Sequence, residues 1–112
     1  KLESLKKSDQ FRKTLKEKKI HTEYFSIFAA KNFFKPKHKT NLLISFVLKK
    51  KIGNAVKRNK IKRRLRNIVN EATKNITLKF DYSYLVIAKP TMLNKEYTII
   101  KETLFRDLKR IH

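Results

Sequence analysis

The sequence predicts an α+β fold, with helices and strands in the order α, β, β, α, β, α. Two observations lead to this expectation. Apolar residues recur with a helical period in a long basic segment and again near the end of the chain. Three shorter segments are rich in β-branched and aromatic residues and are typical of strands. The pattern leaves open a short extra strand that it does not place.

The first part of the chain predicts a helix. Ser8 or Asp9 can cap a helix that runs to about Lys18, and Phe11 and Leu15 are spaced to share one of its faces. The simplest interpretation of these two apolar residues is core packing.

Two strands follow the first helix. Residues 22–30 are aromatic and β-branched, and their alternation points Phe25, Ile27 and Ala29 to one side. The other side receives Tyr24, Ser26, Phe28 and Ala30. Residues 31–41 read as a basic loop, and residues 42–48 are apolar at nearly every position, as in a buried strand.

A long amphipathic helix is predicted over residues 54–72 or slightly beyond. Its apolar positions follow one helical face: Ile61, Leu65, Ile68, Val69 and Ala72. Residues 82–89 then predict a strand that Pro90 stops, and a last helix begins at Thr91 or Asn94 and ends near Ile111. The apolar positions of this last helix are Tyr97, Ile100, Leu104, Leu108 and Ile111.

Charge is concentrated in the long helix and the segment before it. Residues 49–66 hold ten of the 30 Lys and Arg residues and no acid. Like charges recur at i, i+4 in Arg58, Lys62 and Arg66, and positive charge gathers where the helix dipole prefers negative charge. A bound anion would make each of these unfavourable electrostatic interactions favourable. The alternative, a solvated basic face, does not explain why acids are missing from the segment.

The chain as a whole has 112 residues and a net charge of +21, with 40% hydrophobic residues. We expect one domain over residues 1–112 and a polyanionic partner, with nucleic acid ahead of an anionic membrane surface. No apolar run approaches a membrane span, and no signal-peptide hydrophobic region is apparent. These features predict a cytoplasmic protein.

Side chains for catalysis are sparse. There is no cysteine, the three histidines (His21, His38, His112) are isolated, and the nine acids are scattered. Metal binding and general acid–base catalysis both need such groups in clusters, so the sequence argues against a protein-only nuclease and predicts no catalytic or metal-binding residues.

The segment KKIGNAVKRNKIKRRLR at residues 50–66 resembles the signature of the bacterial ribonuclease P protein subunit. The matching residues elsewhere are D-x-F at Asp9 and Phe11 and D-Y-x-x-x-x-I-A-K-P at residues 81–90. One departure is Lys60, where the family usually has the second Arg of its R-N-R motif. Lysine keeps the charge but lacks the bidentate guanidinium fork.

The resemblance implies an α/β two-layer sandwich, with a mixed sheet of about four strands and helices packed on it. It also implies an unusual left-handed β-α-β crossover through the basic helix, against the usual rule. The implied enzyme is a ribonucleoprotein that removes the 5′ leader of precursor tRNA. Its RNA subunit is the catalyst and holds Mg²⁺, while the protein binds that RNA and the leader.

By position, the resemblance assigns two groups of binding residues. The first would bind the catalytic RNA: Lys50, Lys51, Asn54, Arg58, Asn59, Lys60, Lys62, Arg63 and Arg66. The second would line a cleft for the leader: Phe11, Leu15, Ser26 and Phe28. The implied partners are the catalytic RNA and precursor tRNA, without a membrane or an obligatory protein partner. The alternative is a structural RNA-binding protein of the ribosomal-protein type, which shares the small size and high charge.

Overall fold

The computed structural model describes residues 2–5, 12–31, 42–75 and 82–111. The strands are β1 (Leu2–Glu3), β2 (Lys18–His21), β3 (Phe25–Lys31), β4 (Leu42–Leu48) and β5 (Tyr82–Ala88). The helices are α1 (Ala55–Asn75) and α2 (Tyr97–Arg110), and each is preceded by a 3₁₀ turn, at Lys50–Ile52 and Pro90–Asn94 respectively. Residues 12–14 are also helical.

The strands form one mixed sheet in the order β1-β4-β5-β3-β2. β4 and β5 are parallel, with α1 between them in the chain, whereas β3 pairs antiparallel with both β5 and β2. The two-residue β1 adds a parallel pairing at the far edge. The predicted α+β class and mixed sheet are therefore confirmed, with the short β1 added to four longer strands. The left-handed sense of the β4-α1-β5 crossover stays a prediction.

The core lies on one face of this sheet, between the strands and both helices. Phe25, Ile27 and Ala29 of β3 point into it, as the alternation predicted. So do all five predicted apolar residues of α1 and the predicted Ile100, Leu104, Leu108 and Ile111 near the end of the chain. Burying one continuous apolar stripe per helix is what fixes the rotation of each helix about its own axis.

From residue 42 onwards, the helix and strand bounds agree closely with the predictions. β4 spans the predicted residues, β5 ends one residue early, and α1 begins at Ala55 and ends at Asn75. The last helix begins later than predicted, at Tyr97, because Pro90–Asn94 forms a separate 3₁₀ turn. Proline suits this position, since its fixed φ fits the first turn and it has no N–H to leave unpaired.

The first helix was predicted too long. Helical residues end at Thr14, and Lys18–His21 forms β2 instead, which pairs with β3 from Ala29 back to Ser26. β2, like β1, is a short strand that the sequence pattern did not place. Its Lys-Lys-Ile-His sequence has weak strand propensity, so the ladder of hydrogen bonds to β3 determines its conformation rather than its own composition.

Candidate nucleic-acid interface

The chain enters α1 through a turn that requires glycine. The Gly53 N–H donates to the carbonyl of Lys50 at 3.1 Å, and Gly53 has a φ of 148°. A Cβ atom at this position would lie 2.8 Å from Cδ of Lys57. The only glycine of the chain thus connects the basic 3₁₀ turn to the basic helix, in a conformation that other residues rarely adopt.

Asn54 caps α1. Its side-chain Oδ1 accepts a hydrogen bond from the backbone N–H of Lys57 at 3.0 Å, and its carbonyl accepts one from the N–H of Arg58 at 3.0 Å. The cap satisfies one of the free amides at the helix start. Asn54 was predicted to bind RNA, and its side chain already has this structural role.

The predicted RNA-binding residues form one basic surface around α1. Lys50 and Lys51 are exposed in the 3₁₀ turn, Arg58 is half-buried, and the remaining members of the group are exposed. The outer face of α1 borders a shallow recess of about 450 Å³, lined by Asn59, Lys62, Arg63, Arg66, Asn67 and Asn70. Asn59, Lys62, Arg63 and Arg66 thus lie on one face of α1.

Lys60 lies on a different side of the helix. It lines a recess of about 200 Å³ with Lys57, Arg64 and the 3₁₀-turn residues Leu93 and Asn94. Lys57 and Arg64 were not among the predicted site residues, although their position in the same basic run was the signal that could have included them. Cations therefore lie on two sides of α1 and on the surface between those sides.

Within the part of the chain that the structure describes, the cations of this surface lack acidic partners. None of the basic residues from Lys49 to Arg66 forms a salt bridge within the described part of the chain. The first acid of α1 is Glu71, near its C-terminal end, and it pairs with Lys101 of α2 at 2.5 Å. That hydrogen bond raises the pKa of Lys101. The amino-terminal two-thirds of α1 therefore combines uncompensated positive charge with the positive end of the helix dipole.

The opposite face of the sheet carries Ser26 and Phe28, two of the four predicted leader residues. The strand register places Val47, Ile87 and Ser26 in one row across β4, β5 and β3. The next row brings Ser45, Leu85 and Phe28 together in the same way. These residues are on the face away from the α1 and α2 core, because they alternate with the core-facing residues of each strand.

Strand β2 lies beside these two rows, and its His21 contacts Ser26. His21 of β2 lies opposite Ser26, and its Nδ1 is 2.6 Å from Ser26 Oγ. The imidazole also meets Phe28 edge to face, with ring centroids 5.8 Å apart and planes at 83°. Sequence reasoning treated His21 as isolated. Its link to Ser26 depends on the β2–β3 hairpin, which the sequence pattern did not predict.

The helical residues near the N-terminus cover one end of this second face. Thr14 is buried, and its hydroxyl is 2.9 Å from that of Ser83 on β5. Leu15 follows at the end of the helical turn with 42% of its surface exposed, so it is not a core residue. Phe28 is half-buried. Phe11, the remaining predicted cleft residue, lies outside the described residues.

The described residues contain no group of three His, Cys, Asp or Glu side chains arranged to hold a metal ion. None of the described helices is long and apolar enough to cross a membrane. Cations and amides surround α1, and an aromatic ring, a hydroxyl and an imidazole lie on the far side of the sheet.

Comparison with known proteins identifies the family of this chain. The family model described as Ribonuclease P matches residues 1–112. The ribonuclease P protein component of Lactiplantibacillus plantarum is 33% identical over 111 residues, covering 90% of this chain and 95% of that one. The corresponding protein of Acholeplasma laidlawii is 33% identical over 102 residues, covering 90% of this chain and 82% of that one.

Solved structures agree with the sequence comparison. The RNase P protein from Thermotoga maritima superimposes with a TM-score of 0.79 at 26% identity, covering 98% of each chain. A Staphylococcus aureus RNase P protein gives a TM-score of 0.74 at 25% identity, covering 96% of this chain and 93% of that one. With the signature segment carried on α1 and the turn before it, this chain belongs to the bacterial ribonuclease P protein family.

Proposed function

We propose that this protein is the non-catalytic subunit of ribonuclease P and assists the removal of the 5′ leader from precursor tRNA. In this role it binds the catalytic RNA through the basic surface around α1. It binds the leader through the cleft on the opposite face of the sheet. The alternative, a structural RNA binder of the ribosomal-protein type, accounts for the charge but not for the family signature.

The observation that carries the proposal is the density of unpaired cations on α1. Arg58, Lys62 and Arg66 repeat at i, i+4, and no carboxylate of the described residues neutralises them. Each like-charge pair destabilises an isolated helix by roughly 0.2–0.5 kcal/mol. Phosphates bound along this face would turn that repulsion into attraction and release counterions from the RNA.

The cleft supplies a different kind of binding. A single strand without a fixed sequence is held by stacking of its bases on aromatic rings and by nearby positive charge. Phe28 offers a half-buried ring, His21 forms a T-shaped pair with that ring, and Lys19 is its strand partner on β2. These groups suit a leader whose sequence varies from one precursor tRNA to the next.

The two surfaces lie on opposite faces of one sheet, and β4 joins them. Val47 belongs to the cleft row, and the basic turn Lys50–Ile52 begins two residues after β4 ends. One rigid sheet would thus hold the leader at a fixed position relative to the catalytic RNA. In this arrangement the protein contributes to substrate binding and orientation rather than to bond breaking.

The chemistry of cleavage is assigned to the RNA subunit, with Mg²⁺ held mainly by that RNA. The protein has no cofactor of its own in this proposal. Its partners are the catalytic RNA and precursor tRNA, without an obligatory protein partner or a membrane. Its place of action is the cytoplasm, where precursor tRNA is available.

The decisive experiment measures precursor-tRNA cleavage by the matching RNA subunit at low Mg²⁺, with and without this protein. We expect the protein to accelerate cleavage at the natural 5′ site, and rigorously RNA-free protein to cleave nothing at any Mg²⁺ concentration. Cleavage by the RNA-free protein would restore the nuclease interpretation. A lack of stimulation together with tight binding to ribosomal RNA would favour the ribosomal-protein type.

A further inference from the structure

Among the described residues, the outer edge of β4 is only partly covered. β1 pairs with Leu42 and Leu43, and the chain then leaves the edge. The amide of the buried Leu5 donates to Ser45 Oγ at 2.8 Å, which directs the N-terminal segment towards the second face of the sheet. Among the described residues, no strand lies beside residues 44–48 on that side.

A groove lies between this open edge and α1. Its main cavity has a volume of about 440 Å³, within the roughly 300–1,000 Å³ of ordinary ligand pockets. Ile44 and Phe46 of β4 line it on one side, and Lys62, Arg66 and Asn70 of α1 on the other. A smaller recess of about 200 Å³ shares Phe46 and Lys62 with the main cavity and adds Leu48, Arg58 and Asn59.

The groove combines an aromatic ring with cations. Phe46 is half-buried at the margin of the core, so one part of its ring remains accessible. Arg58, Lys62 and Arg66 line the same two cavities, and no acid among the described residues lines either of them. A ligand that matches both parts has a flat apolar portion and a negative charge close to it.

We propose that this groove binds one unpaired nucleotide of the catalytic RNA, with the base against Phe46 and a phosphate between Lys62 and Arg66. The inference rests on the proposed function and adds a specific RNA feature to it. A nucleotide within a double helix keeps its base stacked inside, so the ligand must come from a bulge, a loop or a single-stranded junction.

An extended peptide adding to the open edge of β4 is the competing occupant. Strand addition requires a peptide backbone to approach the edge closely. Here the long side chains of Lys62 and Arg66 stand beside the edge, and charged residues at such positions oppose strand addition. The three cations without an acid favour a phosphate-bearing ligand instead.

The test is the Phe46→Leu variant, which keeps the apolar packing but removes the ring. Its affinity for the matching catalytic RNA alone, without tRNA, should fall about fivefold or more, because stacking of one base on an aromatic ring has roughly that effect. The dependence of binding on salt should stay unchanged, since no charge is lost. Lys62→Gln should instead lower the log–log salt slope by about 0.7.

Phe105→Leu is the matched control, because Phe105 is also half-buried against the core but lies on α2. It should bind the catalytic RNA as the wild type does. Equal affinities of the Phe46→Leu and Phe105→Leu variants would overturn the nucleotide site and leave the open edge to a protein partner. In that case wild-type stimulation of precursor-tRNA cleavage would show that the proposed function survives. Failure of the wild type to bind the catalytic RNA would overturn both proposals.

Photocrosslinking locates the nucleotide. A Phe46→p-benzoylphenylalanine variant bound to the catalytic RNA should crosslink to an unpaired position. Crosslinks confined to base-paired helices would contradict the groove proposal, even if the affinity of Phe46→Leu were reduced.

Discussion

Nδ1 of His21 and Oγ of Ser26 lie 2.6 Å apart across the β2–β3 hairpin, at the border of the proposed leader cleft. The contact fixes the imidazole so that its ring meets Phe28 edge to face. A net hydrogen bond and an aromatic pair contribute roughly 1 kcal/mol each to stability. The position of Phe28 therefore depends on β2, a strand with little strand propensity of its own.

Phe28→Ala should reduce the preference of the holoenzyme for precursor tRNA over mature tRNA. If the ring stacks on a leader base, binding of precursor tRNA weakens by roughly 1–3 kcal/mol, whereas mature tRNA, which has no leader, binds as before. The ratio of the two affinities is the quantity to measure, because a general loss of stability lowers both.

Folding must be followed in the same samples, since Phe28 is half-buried and truncating a fully buried Phe costs roughly 3–5 kcal/mol. Phe28→Leu keeps most of the apolar volume and serves as the gentler variant. A folded Phe28→Ala protein that assembles with the RNA and keeps the wild-type ratio would show that Phe28 is only a packing residue. His21→Ala should move the ratio in the same direction by a smaller amount.

Arg63→Gln should weaken binding of the catalytic RNA and flatten its salt dependence by roughly 0.7–0.9 in log–log slope. The free energy of unfolding should stay the same or rise slightly, because a like charge is removed from α1. Lys109→Gln removes an exposed charge from α2 and is the control. Unfolding of the Arg63→Gln protein with an unchanged salt slope would mean that this face of α1 is structural.

Asn54 offers a way to separate folding from RNA binding. Asn54→Ala loses the cap and should lower the free energy of unfolding by about 0.5–2 kcal/mol. Asn54→Asp keeps the cap and adds a negative charge at the positive end of α1, so it should be as stable as the wild type or more so. The same charge should weaken RNA binding. Thermal denaturation and RNA titration of both variants test these opposite effects, and tighter RNA binding by Asn54→Asp would contradict them.

Gly53→Ala should destabilise the protein by roughly 1–3 kcal/mol, because a residue with a side chain is strained at a φ of 148°. The new Cβ would also displace Lys57 from its present position. Denaturant unfolding measures the loss. A variant as stable as the wild type would show that the turn before α1 adopts another conformation without cost.

The basic helix was the part most fully predictable from sequence. The period that buries Ile61, Leu65 and Ile68 also places Asn59, Lys62 and Arg63 outside, because both follow from helix geometry alone. β2 was not predictable in this way, since its conformation comes from pairing with β3. The contact between His21 and Ser26 depends on that pairing. The hand of the crossover was expected only from the family resemblance, because local propensity does not encode it.

The recess at Lys57, Lys60 and Arg64 was likewise only partly predictable from the sequence. Their charge was evident from sequence, but the approach of Leu93 and Asn94 to that flank depends on where the chain returns after β5. Long-range placement of this kind is set by the packing of the whole core rather than by any local pattern.

The basic surface of α1 has a consequence for the amount of this protein in the cell. A partner that binds only the folded state stabilises it in proportion to the logarithm of its free concentration. Protein made in excess of its RNA would lack that stabilisation and would unfold more often. Quality-control proteases act on the unfolded fraction, so the orphan subunit should be degraded faster than the assembled one. The abundance of the protein would then follow the abundance of its RNA, without a dedicated regulator.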